Sequence, residues 1–163
     1  MRNAVPPPHV DRIDRAIVSK LQTDGRIANI DLADAVSLSP SACLRRVKAL
    51  EASGIIAGYR AELDRNRAGL GLTAFIELQV AGHSLETSTR MEQTLTAIPA
   101  VVACYLVSGS ADFVVEVAVP DLARYEELLL TQILTIPSVV SARSSFAIRT
   151  YLGRGPLPLE HWR

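Results

Sequence analysis

Three cations, Arg45, Arg46 and Lys48, lie a few positions after Ser39-Pro40-Ser41, and these residue types suit phosphate oxygens and guanine edges. Ser39 supplies a side-chain oxygen to the first free backbone N–H groups of a helix, and Pro40 loses nothing by lacking an N–H there. A helix therefore starts at Ser39. At 100° per residue, Cys43, Leu44, Val47, Leu50 and Glu51 fall in one arc. Ser41, Ala42, Arg45, Arg46, Lys48 and Ala49 fall in the opposite one. The first arc predicts a core stripe and the second a small, polar, basic face that approaches a DNA groove closely. A solvated cationic face is the plainer reading of any basic helix. The preceding segment tips the balance: Asn29 is placed to cap a short helix whose Leu32, Ala33 and Val36 face inward, leaving a tight corner before Ser39. Two short helices at such a corner form a helix-turn-helix, with Ser39, Ser41, Arg45, Arg46 and Lys48 as candidate DNA contacts.

Other chemistry is sparse. The three histidines stand at 9, 83 and 161, and no Gly-x-Ser-x-Gly, metal-ligand cluster or Gly-rich phosphate loop is present. Cys43 and Cys104 are isolated, which argues against a disulfide framework or a zinc site and reads as two small buried hydrophobes. No metal or cofactor is expected. Arg143 and Arg149 alternate on the expected last strand, a pair able to bind an anion, although exposed strand arginines are usually solvated. Ser108-Gly109-Ser110-Ala111-Asp112-Phe113 lacks the strand-to-helix context that exposes a nucleophile, and is a competent hairpin connection in which Asp112 stabilises the turn.

A chain of 163 residues, 48% hydrophobic and 21% charged, is ordinary for a globular protein. Seventeen basic and seventeen acidic residues cancel, so DNA affinity must come from a local patch and from multivalency. Residues 1–65 hold ten Lys/Arg against eight Asp/Glu; residues 66–163 hold seven against nine. The start, MRNAVPPPHV, lacks an apolar signal core and no stretch approaches a membrane span, so a cytoplasmic location is expected.

These groups need elements to position them. Pro6 to Pro8 predict an extended arm. Asp11 to Thr23 carries Ile13, Ile17 and Leu21 on one face, a helix completing a three-helix unit. Gly54 ends the basic helix, Ile55 to Leu63 alternates like a strand, and Asp64 to Gly71 carries turn chemistry that marks a boundary. The second half contains a repeat: Ile98-Pro99-Ala100-Val101-Val102-Ala103 recurs 38 residues later as Ile136-Pro137-Ser138-Val139-Val140-Ser141. Each copy follows an amphipathic helix, lined by Met91, Leu95 and Ile98 in one case and by Leu122, Tyr125, Leu129 and Ile133 in the other. Proline ends the helix and a β-branched run starts a strand. With strands at Ala74 to Val80 and Phe113 to Val119, the order is strand, helix, strand, strand, helix, strand, the ferredoxin-like plan. One face of such a sheet is bare, and Phe75 with alternate residues of other strands predicts an apolar, dimerising surface. The fold class is α+β: an N-terminal three-helix helix-turn-helix domain, then a ferredoxin-like βαββαβ domain. The expected boundaries are an arm over 1–10, the helix-turn-helix domain over 11–60, a linker over 61–71, the ferredoxin-like domain over 72–150 and a tail over 151–163.

The segment GRIANIDLADAVSLSPSACLRRVKALEASGIIAGYRAELD resembles the DNA-binding half of the Lrp/AsnC (feast/famine) transcriptional regulators. It departs at Ser37, where that family usually has glycine in the corner, so some strain or a different turn is expected there. The second half resembles the family's effector and oligomerisation domain, and the likeness runs from Val10 to about Leu157. It implies a regulator of amino-acid metabolism that binds double-stranded promoter DNA. It also implies dimers built through the sheets, commonly assembled into octamers, with a small amino acid bound between dimers. The loop at 108–113 matches the family's Gly-x-x-Asp-(Tyr/Phe). Backbone N–H groups of Gly109 and Ser110 would meet the effector's carboxylate, and Asp112 would face its ammonium or order the loop. Ser144, Ser145 and Phe146 fall where related regulators contact or sense ligand. Two other classes compete: an amino-acid-sensing regulatory subunit of a metabolic enzyme, and a small ferredoxin-like enzyme, for which no convergent acid-base pair is found. The leading expectation is a non-enzymatic, bacterial or archaeal, nucleoid-associated regulator.

Overall fold

The computed structural model describes residues 10–82 and 84–162. The expected extended arm, except for Val10, lies outside the described residues. The chain divides into two compact units, one built from residues up to Glu62 together with the segment from Leu152, the other from Leu63 to Tyr151.

The first unit contains α1 (Arg12–Thr23), α2 (Asn29–Ala35) and α3 (Pro40–Ala52). Its core joins Ile17, Val18, Leu32, Ala33, Cys43 and Leu50. Leu159 and Trp162, from the far end of the chain, pack against the same core. The Gln22 side chain secures that end by donating to the Leu157 carbonyl and accepting from its N–H, at 3.2 and 2.6 Å. The α2 cap is not the expected one. Ala28 is the N-cap, without a side-chain bond, and Asn29 lies one position inside. Its amide instead donates to the Pro40 carbonyl at 2.9 Å, bridging the two ends of the corner. Ser37 within that corner has φ 57°, the one positive value among described non-glycine residues. The strand expected over Ile55 to Leu63 is absent: Ile55 and Ile56 pack on the core. The alternation is real, but no second strand lies beside it in this unit to complete a ladder.

The second unit follows the ferredoxin-like order β1 (Leu72–Val80), α4 (Leu85–Thr96), β2 (Val101–Leu106), β3 (Phe113–Val119), α5 (Leu122–Leu128) and β4 (Val139–Phe146). A π-helical turn, Leu129–Ile133, extends α5. The sheet is antiparallel in the order β2-β3-β1-β4. The two halves of the repeat fold alike. Ile98 and Ile136 are buried, and their carbonyls accept from Val101 and Val139 at 3.0 and 2.9 Å, turning each chain from helix into strand. One expected lining residue is wrong: Leu122 is 62% exposed, and Leu128 is buried instead. The π-helical turn explains the change, because it adds a residue to the turn and lets Tyr125, Leu128 and Ile133 face the sheet together.

The helix-free face is less apolar than expected. Phe75 is 40% exposed, and Val114 and Tyr105 lie on the same face across β3 and β2. The β4 side presents Ser141, Arg143 and Ser145, paired with Gln79, Glu77 and Phe75. Arg65, from the turn before β1, donates to Thr73 Oγ1 and Glu116 Oε1 at 2.9 and 2.7 Å, covering part of this face.

Candidate DNA-binding helix and effector loop

Ser39 is the N-cap of α3, its Oγ accepting from the Ala42 N–H at 3.3 Å, and Pro40 occupies the first turn. The helix ends at Ser53, followed by Gly54 with φ 77°, a conformation that a Cβ would disfavour. Between these stops the inward stripe is Cys43, Arg46, Val47 and Leu50. Leu44 and Glu51, both expected inside, are exposed, and Arg46, expected outside, is half-buried. The stripe is thus turned by about one residue relative to the apolar pattern.

Two carboxylates hold Arg46 on the inward side beside this apolar stripe. Arg46 Nη1 donates to Asp11 Oδ2 and Asp14 Oδ1, both at 2.8 Å. The same two carboxylates form the capping box of α1. Asp11 Oδ1 accepts from the Ile13 and Asp14 N–H groups at 2.8 Å, and Asp14 Oδ2 accepts from the Asp11 N–H at 3.3 Å. Each carboxylate caps with one oxygen and holds Arg46 with the other. The Arg46 guanidinium is pushed above its ordinary range by its bonds to Asp14 and then Asp11. The Asp11 carboxyl is held below its ordinary range chiefly by the Asp14 N–H; burial opposes this and Arg46 adds to it. Sequence reasoning missed this cluster, although the Asp11-x-x-Asp14 spacing signals a capping box.

The outward face of α3 consequently carries Ser41, Leu44, Arg45 and Lys48, all four exposed. Ser39 Oγ and Ser41 Oγ lie 3.2 Å apart at the start of the helix. Cys43 is fully buried, and burial raises its thiol pKa.

In the second unit, the segment 107–112 connects β2 and β3. Gly109 has φ 126°, and a Cβ there would meet open space, so the backbone shape and not crowding requires glycine. Asp112 holds the loop to the end of β1. Its N–H donates to the Leu78 carbonyl at 2.9 Å, its carbonyl accepts from the Val107 N–H at 2.9 Å, and Oδ2 accepts from the Val80 N–H at 2.8 Å. Of the two roles expected of Asp112, the loop-ordering one has a direct structural counterpart. Gln79, which sequence reasoning passed over, joins loop and edge strand. Its amide donates to the Ser110 carbonyl and accepts from Ser141 Oγ, both at 2.7 Å. Only its outward position on a strand marks it in the sequence.

The three β4 candidates part company. Ser144 and Phe146 lie opposite Ile76 and Ala74 on the helix side, whereas Ser145 lies opposite Phe75 on the bare side. Tyr125 of α5 gathers the first two: its hydroxyl hydrogen-bonds Ser144 Oγ, and its ring meets Phe146 edge-on, 5.0 Å between centroids at 80°. The loop sits against Leu78 to Val80, two to four residues further along β1, about 7–13 Å away. Gly109, Ser110 and Asp112 therefore form one group, Ser144 and Phe146 a second, and Ser145 stands apart. A cleft of about 450 Å³ beside α5, lined in part by Leu70, Ala100, Ala118 and Arg124, contains none of them.

Comparison with known proteins places both units. Residues 10–57 match the winged helix-turn-helix DNA-binding family, and residues 73–157 match the Lrp/AsnC ligand binding domain. The chain is 36% identical over 139 residues to the leucine-responsive regulatory protein of Klebsiella pneumoniae, covering 85% of each. It is 35% identical over 150 residues to the Bkd operon transcriptional regulator of Pseudomonas aeruginosa, covering 92% of this chain and 98% of that one. Among solved structures, a transcriptional regulator of Neisseria meningitidis in complex with L-Met superposes with TM-score 0.88 at 32% identity, over 93% of this chain and 97% of that one. An AsnC family transcriptional regulator from Agrobacterium tumefaciens gives 0.87 at 34%, over 93% and 98%. The helix-turn-helix, the βαββαβ unit and these relatives agree: the chain belongs to the Lrp/AsnC family of transcriptional regulators.

Proposed function

We propose that the protein binds promoter DNA as a dimer that sets two α3 helices in successive major grooves, about 34 Å apart. The observation that carries this is the outward face of α3, where Ser41, Arg45 and Lys48 line a helix whose other side is fixed to a core. Arg45 and Lys48 meet phosphates or base edges, and Ser39 and Ser41 lie at the helix start, where backbone N–H groups favour anions. Arg46 acts through position: its ion pairs with Asp11 and Asp14 tie α3 to α1.

The effector is a small amino acid, a reading supported by the L-Met complex of the Neisseria relative and by the match to a ligand binding domain. Gly109, Ser110 and Asp112 from one chain form part of the site. Ser144 and Phe146 sense it through Tyr125, and Ser145 faces the sheet-to-sheet dimer contact. The groups lie apart in a single chain, which agrees with a site completed between dimers and with assembly to octamers. The protein works in the cytoplasm as a regulator and not as an enzyme; no described helix is long and apolar enough to cross a membrane.

The test is a shift assay on DNA upstream of the protein's own gene, at two salt concentrations, with and without each of twenty amino acids. Salt-sensitive retardation altered by one or a few amino acids is the expected result. Absence of specific retardation, together with thermal stabilisation by an amino acid, would make the protein a sensor subunit instead.

A further inference from the structure

The displaced roll of α3 leaves Leu44 in an unexpected place. It is 43% exposed, and it stands between Ser41, one turn before, and Lys48, one turn after, with Arg45 adjacent. The fixed inward stripe of Cys43, Arg46, Val47 and Leu50 excludes Leu44 from the core. A single exposed leucine is ordinary on a protein surface. This one is set in the middle of the face that carries the cations, on the fifth residue of the helix. Early residues of a recognition helix are the ones that reach base edges.

On the floor of a major groove an isobutyl group has no hydrogen bond to give or receive. What it can recognise there is the thymine 5-methyl, the one apolar group that the four base pairs display on that side. Arg45 and Lys48, reaching phosphates, would hold the helix at the depth where this contact forms.

We propose that Leu44 is a specificity-determining residue that reads the 5-methyl group of one thymine in each half-site. The proposal rests on α3 being the DNA-facing helix and adds the base chemistry it selects. Removing one methyl from the contact should weaken binding about fourfold per half-site, the value of one buried methyl-sized group.

The experiment uses the full chain. A duplex is enriched from a random pool, and each thymine is then replaced singly by deoxyuridine, which deletes the methyl and leaves base pairing unchanged. At one thymine per half-site the wild type should lose about fourfold. Leu44→Ala should bind the thymine and uracil duplexes equally at that position, with the salt dependence of the wild type. Equal affinity of the wild type for every substituted duplex overturns the proposal. So does a thymine preference that persists in Leu44→Ala, which would assign the methyl to another residue. Enrichment of a salt-sensitive duplex with no uracil effect leaves the DNA-binding reading standing and removes Leu44 from it. Failure to retain any duplex at low salt overturns both.

Discussion

Arg46→Met separates a positioning role from a phosphate contact. The wild-type guanidinium is 30% exposed, and its Nη1 is shared by Asp14, 14% exposed, and Asp11, 45% exposed. Solvent screening at that exposure limits the pairs to about 1–2 kcal/mol together, the loss expected in urea unfolding of the variant. The DNA readout is sharper. Each neutralised phosphate adds about 0.9 to the slope of log affinity against log salt. Arg45 and Lys48 from two protomers give a slope near −3.6, a loss of about 150-fold between 50 and 200 mM salt, where six contacts including Arg46 would lose more than a thousandfold. Fluorescence anisotropy of a labelled duplex across that range should return the same slope for Arg46→Met as for the wild type. Arg45→Ala should flatten the slope by about 1.8 per dimer. Equal flattening by both substitutions would place Arg46 on a phosphate and refute the argument. The ion pairs also have a pH signature. Because the folded-state pKa of Asp11 is depressed, its contribution is present above the unfolded value and is lost as pH falls through the folded one, below about pH 4. A stability profile flat from pH 7 to pH 3 would contradict it.

Asp112→Ala removes the acceptor for the Val80 N–H; about 1–2 kcal/mol of stability and the whole effector response should go, with ligand-free DNA binding retained, as read by thermal melts and shift assays. Tyr125→Phe keeps the edge contact with Phe146 and deletes the bond to Ser144, so a loss of about 1 kcal/mol with a weakened effector response is expected; an unchanged response would remove Tyr125 from the sensing path. Ser37→Gly relieves a positive φ and should raise stability by up to about 1 kcal/mol, measured by calorimetry.

What the sequence made legible is what depends on near neighbours. The Ser39-Pro40 start, the Gly54 stop and the Ile-Pro repeat each carry their own chemistry, and their elements fold where that chemistry requires. The inward position of Arg46 was illegible because its partners are carboxylates 32 and 35 residues away. An apolar pattern containing both Cys43 and Leu44 fits either side equally well. Leu122 was misplaced because a helical wheel assumes a constant step, and the π-helical turn at Leu129–Ile133 breaks it. Alternation over Ile55 to Leu63 does not supply a partner strand. In the effector region the loop was readable from Gly109 and Asp112, but Gln79 and Tyr125 act through pairs formed by the sheet and its covering helix, which no local pattern records.

The attachment of Leu159 and Trp162 to the first core gives the molecule an unequal topology: the ligand-binding unit is an insertion, and the DNA-binding unit is the host that the chain leaves after Glu62 and re-enters at Leu152. A fragment cut at the linker is therefore not the intact DNA-binding unit but that unit with one wall missing, its apolar groups newly exposed to water. Weak DNA binding by such a fragment would measure the missing wall and say nothing of α3, whereas a shortened chain in which the residues from Leu152 onward follow Glu62 through a flexible join would restore it.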